Sequence, residues 1–174
     1  MRPLLVALGL VLSACGPVKR PDGGVGLVQP PASAPAFSAP DQTGSTHTLA
    51  SYRGRPLVLF FYPKDGTPGC TKEACAFRDA WSKLQATGAA VVGVSRDGVE
   101  KHAAFAKEHS LPFPLLADED GTICKAYGVK QTLGMASRVT FLVDPEGRIA
   151  RTWPDVDPAI HATEVLAAIE ALPR

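Results

Sequence analysis

Cys70 sits where a cysteine can do chemistry. It follows a continuous apolar run, Leu57-Val58-Leu59-Phe60-Phe61-Tyr62, that Pro63 ends and a short turn with Gly66, Pro68 and Gly69 redirects. Such a run suits a strand buried on both faces. Beyond the turn, Ala74, Phe77, Trp81 and Leu84 recur at spacings of three and four, the apolar face of a helix that opens near Cys70. At a helix mouth the unpaired N–H groups and the dipole favour negative charge, hence the thiolate, which is the nucleophilic form. Cys75 lies five residues further on. Residues five apart on an intact helix stand about 140° around the axis and roughly 8–9 Å apart between Cα atoms. A disulfide requires less than about 7 Å, so a Cys70–Cys75 bond demands that the helix unwind.

The elements needed to hold Cys70 can be read along the chain. Phe37 to Leu49 reads as a hairpin around the turn Asp41-Gln42-Thr43-Gly44. Ala89 to Ser95, Pro114 to Asp118 and Arg138 to Val143 read as further strands, and Asp144-Pro145-Glu146-Gly147 as the turn into Arg148 to Trp153. Helical patterns cover Glu100 to His109, Thr122 to Tyr127 and Ile160 to Leu172. Strands alternating with helices argue a single α/β domain with a mixed central sheet flanked by helices.

Composition excludes several classes. The 174 residues carry 18 Lys and Arg against 17 Asp and Glu, so no basic face for nucleic acid is expected. Cys15, Cys70, Cys75 and Cys124 form no C-x-x-C pair of a zinc site or a dithiol motif, and the four histidines show no ligand spacing. Glu73 reads as helix support in the first turn, and Cys124 as a buried bystander or a second resolving thiol.

Pro63-x-x-x-Thr67-x-x-Cys70, with Cys75 five residues later, resembles the active-site motif of the peroxiredoxins, in their bacterioferritin-comigratory (Q-type) subfamily. VVGVSRD, LPFPLLADEDG and SRVTFLVDPEGRI extend the resemblance over about Phe37 to Leu172. It implies a thioredoxin fold and a thiol peroxidase that needs no metal, haem or flavin. Cys70 would be the peroxidatic cysteine and Cys75 the resolving one. Arg138 would stand beside the sulfur, Thr67 would orient the peroxide, and Pro63 would shield the pocket. A thioredoxin-like dithiol would be the reductant, and the subfamily leans toward a monomer. The competing reading, a lipid-anchored thioredoxin-like disulfide carrier, leaves Thr67 and Arg138 without a role and lacks C-x-x-C.

The N-terminus adds an address. Arg2 precedes a short apolar core, Leu4 to Leu12, and Leu12-Ser13-Ala14-Cys15 resembles the lipobox of bacterial lipoproteins. That resemblance implies a signal peptide over residues 1–14, a lipidated Cys15 and a bacterial envelope location. In a Gram-negative cell, Gly16 in place of Asp implies the outer membrane, on its periplasmic side. Residues 15–35 are rich in Pro and Gly and are expected to be a flexible tether, with the folded domain over 36–174.

Overall fold

A computed structural model describes residues 16–173; the expected signal peptide and Cys15 lie outside the described residues. A hairpin of β1 (Ser38–Pro40) and β2 (Thr46–Thr48) is followed by a 3-10 turn (Leu49–Tyr52) and β3 (Leu57–Phe61). Then come α1 (Pro68–Asp79), α2 (Trp81–Ala86), β4 (Ala90–Ser95), α3 (Val99–His109), β5 (Leu115–Ala117) and α4 (Thr122–Tyr127). A small hairpin, β6 (Gln131–Thr132) and β7 (Met135–Ala136), leads into β8 (Val139–Val143), β9 (Ile149–Trp153) and α5 (His161–Glu170).

The main sheet has the order β5-β4-β3-β8-β9. β3 pairs in parallel with β4 and antiparallel with β8, so the sheet is mixed as expected. Every residue of β3, β4 and β8 is buried, the reason their sequences read as near-continuous apolar runs; the polar exceptions, Ser95 and Thr140, are hydrogen-bonded to Asp97 and His161. The two-residue period sorts the side chains by face. Leu57, Leu59 and Phe61 join Val139 and Phe141 on one face, with Tyr127 and Cys124 of α4. Val58, Phe60 and Tyr62 join Leu142 on the other, with Cys70, Phe77, Phe105 and Val165 of the helices. The helix expected from Cys70 through Leu84 is interrupted at Ala80, whose N–H is shared between the Ala76 and Arg78 carbonyls.

Residues 16–35 differ from the expected tether. Ile149 donates its N–H to the Ala32 carbonyl and Ala34 donates to Gly147, so this stretch covers the free edge of β9. Val28 donates to the Tyr127 carbonyl, its side chain is 2% exposed, and its own carbonyl accepts from the Thr152 hydroxyl. Gly128 makes the seat possible, since a Cβ there would stand 1.8 Å from the Gly26 carbonyl oxygen. A segment poor in large apolar side chains is held by backbone pairing instead, and the start of an open sheet edge is covered. Deleting residues 16–35 should therefore cost about 2 kcal/mol or more from Val28 alone. Thermal melts should show a lower Tm, and light scattering should show self-association through the bared β9 edge; a truncated chain that melts with the parent would refute this.

Candidate active site

The site forms where β3 ends and β8 begins. Pro63, half-buried, closes β3 and opens the turn into α1. Pro68 occupies the first helical positions, where a missing N–H costs nothing, and Cys70 follows two residues later. Thr67 holds the N-cap position with extended backbone, yet its side chain makes no capping bond. Its hydroxyl donates instead to the Lys64 carbonyl at 3.0 Å. The first-turn N–H groups of α1 thus keep their capacity for an anion, and Cys70 stands among them.

Arg138, the residue immediately before β8, reaches Cys70 from the head of that strand. On that strand Thr140 and Leu142 lie on the face covered by α1 and α5, and the alternation carried back one residue places Arg138 on the same side. Arg138 Nη2 donates to Cys70 Sγ at 3.3 Å. Gly69 leaves room for the guanidinium, because a Cβ there would lie 3.2 Å from Nη2. The other arm of the fork, Nη1, donates to Glu73 Oε2. Burial works against the Arg138 charge, but Glu73 and the Cys70 sulfur more than offset it, and its pKa is raised.

Glu73 is thereby a correction to the expectation from sequence. The helix starts at Pro68, so Glu73 lies beyond its first turn, and it is 1% exposed. It braces Arg138 instead of complementing the dipole. Nothing in a single sequence signals a pairing made across 65 residues. Burial pushes the Glu73 carboxyl up to about 7 from 4.5, with Arg138 opposing the rise, and its Oε1 has no hydrogen-bond partner. A carboxyl that holds its proton more tightly when folded contributes stability at low pH, lost as pH rises through the folded value. Between pH 4.5 and 7 that amounts to about 3 kcal/mol at most. Melts of Glu73→Gln against the parent from pH 5 to 8 should shift in favour of the variant by about 1–3 kcal/mol. A constant difference across that range would take Glu73's titration out of the site.

The turn before α1 is pinned from below. Tyr62 donates its hydroxyl to Asp65 Oδ1 at 2.7 Å, and His102 Nδ1 lies 2.7 Å from Asp65 Oδ2. The Asp65 N–H reaches Asp97 Oδ2 at 2.8 Å. His102 and His161 are fully buried.

Cys75 is half-buried on α1. The Arg78 pKa is raised, first by its hydrogen bond to Asp79 and also by the Cys75 sulfur, so a cation stands beside the second thiol. Cys124 packs in the core on the opposite face of the sheet from Cys70. Burial, then the Asp118 carboxylate, push its thiol far up. It is not placed to resolve an oxidised Cys70. Among the described residues no group of His, Cys, Asp and Glu could hold a metal ion, and no helix is long and apolar enough to cross a membrane.

A thiol held beside a guanidinium at a helix N-terminus suits attack on an electrophile that takes up negative charge. Comparison with known proteins agrees with that chemistry. The model of the AhpC/TSA family matches residues 30–152. The chain is 45% identical over 143 residues to the peroxiredoxin bcp of Coxiella burnetii, covering 78% of this chain and 95% of that protein. It is 43% identical to the chloroplastic peroxiredoxin Q of Populus jackii, covering 79% of this chain and 66% of that one. Among solved structures, peroxidoxin BcpB of Mycobacterium tuberculosis superposes with a TM-score of 0.79 at 36% identity, over 84% of this chain and 99% of that one. The bacterioferritin comigratory protein of Xanthomonas campestris, described for its alkyl peroxide reduction activity, gives a TM-score of 0.74 at 38% identity, over 83% and 96%.

Proposed function

This chain belongs to the AhpC/TSA family, as a thioredoxin-fold peroxiredoxin of the Q type and a thiol-dependent peroxidase, and we propose that Cys70 is its peroxidatic cysteine and Cys75 its resolving one. The observation that carries the first assignment is the Arg138 bond to the Cys70 sulfur at the N-terminus of α1. The Cys70 thiolate attacks the terminal oxygen of a hydroperoxide, the O–O bond breaks, and the leaving alkoxide or hydroxide takes a proton to become alcohol or water. Arg138 stabilises charge as it moves onto the peroxide oxygens. Thr67, with its proton committed to Lys64, offers lone pairs to the peroxide hydrogen. Pro63 shields the sulfur from water.

The Cys70 sulfenic acid then loses its oxygen as water when the Cys75 thiolate attacks the sulfur, and a Cys70–Cys75 disulfide forms. A thioredoxin-like dithiol restores both thiols. The lipobox resemblance supports acylation at Cys15, attachment to a bacterial envelope membrane and a reductant resident in the same compartment; we take the working unit as a monomer. Placement on the periplasmic side of an outer membrane follows if the cell is Gram-negative.

One equivalent of hydrogen peroxide added to the reduced chain from Gly16 onward tests the assignments, with intact mass and peptide mapping within seconds. Loss of two hydrogens with Cys70 joined to Cys75 is the expected result. A Cys70–Cys124 link would overturn the resolving role of Cys75, and unreacted thiols would overturn both roles.

A further inference from the structure

The parallel strands β3, β4 and β5 all end at the same edge of the sheet, where β8 begins and β9 ends. Cys70 and Arg138 are there. So is the start of the described chain: residues 28–34 run along β9 with Ala32 beside Ile149 and Val28 beside Thr152, which delivers residues 16–26 to the catalytic end. Gly16 and Val18 share a crevice of roughly 210 Å³ with Ser137 and Val139, the two neighbours of Arg138.

The large apolar side chains left exposed among the described residues are Val25, Leu133 and Ile160, at 56%, 91% and 52%. Single exposed apolar residues are ordinary; their common address is not. Val25 belongs to the N-terminal segment, bridged to Lys19. Leu133 joins β6 to β7, immediately ahead of Arg138. Ile160 caps α5 next to His161, which lies 2.8 Å from the Thr140 hydroxyl at the head of β8.

We infer that the catalytic end of the domain lies against a lipid bilayer, with Val25, Leu133 and Ile160 inserted at headgroup level. This rests on the proposed acylation of Cys15, bonded directly to Gly16. The β9 strap fixes the orientation, because an anchor on a free tether of twenty residues would let any face meet the membrane. Three apolar side chains at the interface add to the anchor's hold. A hydroperoxide carried on a membrane acyl chain would then meet Cys70 without leaving the surface.

The test uses the full chain processed in a bacterial host, with intact mass reporting acylation at Cys15. The protein is reconstituted in phosphatidylethanolamine–phosphatidylglycerol vesicles containing brominated acyl chains. Tryptophan emission is compared for Leu133→Trp and Ser51→Trp, the latter in the 3-10 turn at the opposite end of β3, each against the parent. Several-fold stronger quenching at position 133 is expected. Equal quenching, or none, in the acylated chain overturns the orientation and leaves the anchor standing. A chain without acyl groups overturns both. The combined Val25→Ser, Leu133→Ser, Ile160→Ser variant should lose about tenfold in rate on a phospholipid hydroperoxide held in vesicles, while its reduction of hydrogen peroxide matches the parent. Parental rates on both substrates would also overturn the proposal, and loss on both would mark a folding defect and leave the quenching to decide.

Discussion

Replacing Arg138 with lysine should slow the reaction of Cys70 with hydrogen peroxide by about two to three orders of magnitude, equivalent to roughly 3–4 kcal/mol of transition-state stabilisation. The two arms of the guanidinium do different things at once. Nη2 donates to the Cys70 sulfur while Nη1 is held by Glu73. A lysine carries the same charge as a single ammonium on a flexible stem and cannot span both partners in one plane. It would pair with Glu73, the buried carboxylate, and leave the sulfur with the helix N-terminus alone. The peroxide would lose both a hydrogen-bond donor and the charge that favours the thiolate. Stopped-flow emission from Trp81 and Trp153 under excess peroxide gives the second-order constant, and the far-UV spectrum and Tm report the fold. A lysine variant within about threefold of the parent would mean that the helix terminus supplies nearly all of the stabilisation. Comparison with Glu73→Gln separates the two parts of the assembly. Glutamine keeps an acceptor for Nη1, so that variant should lose far less rate than Arg138→Lys and should show its change in the pH profile.

The sequence displays what is local and hides what is assembled. β3, β4 and β8 are legible because burial on both faces leaves them almost wholly apolar, with Ser95 and Thr140 the polar positions among them. The first hairpin is legible from its turn residues, and Cys70 from the strand, turn and helix that surround it. Glu73 was legible only as a charge on a helix, because its partner arrives from the head of β8, 65 residues away. Starting α1 at Pro68 instead of near Cys70 shifts Glu73 by enough to change its role. The N-terminal strap was hidden for a different reason. Composition reports side-chain burial, whereas Ala32 and Ala34 are held through main-chain groups that every residue carries. Cys124 could not be told from a second resolving thiol until the sheet stood between it and Cys70.

The oxidised protein should lose amide protection over residues 68–76 by at least about a hundredfold relative to the reduced one, while Phe77 and the residues after it stay protected. Cys70 and Cys75 share one continuous helix in the reduced structure. Regular geometry holds their Cα atoms roughly 8–9 Å apart and points the side chains about 140° away from each other. Bonding the sulfurs requires Cα atoms within about 7 Å and converging Cβ vectors, so the turns between them cannot survive. How far the unwinding spreads is set by what grips the chain on either side. Upstream, Asp65 is fixed by Tyr62, His102 and Asp97. Downstream, Phe77 is fully buried, with its ring 4.9 Å from Phe60 and 5.7 Å from His161. Between those two grips the side chains of Thr71 and Lys72 are not core residues, and Ala74 forfeits little by leaving it. Glu73 must leave with them, which releases Arg138 from its brace and dismantles the peroxide site as the disulfide forms. Hydrogen exchange with mass spectrometry on the two redox forms measures this directly. Equal protection in both would mean that Cys75 is not the residue that resolves Cys70. Loss of protection running through Phe77 into α2 would mean that the aromatic cluster does not stop the unwinding, and that the surface offered to the reductant is larger than these anchors allow.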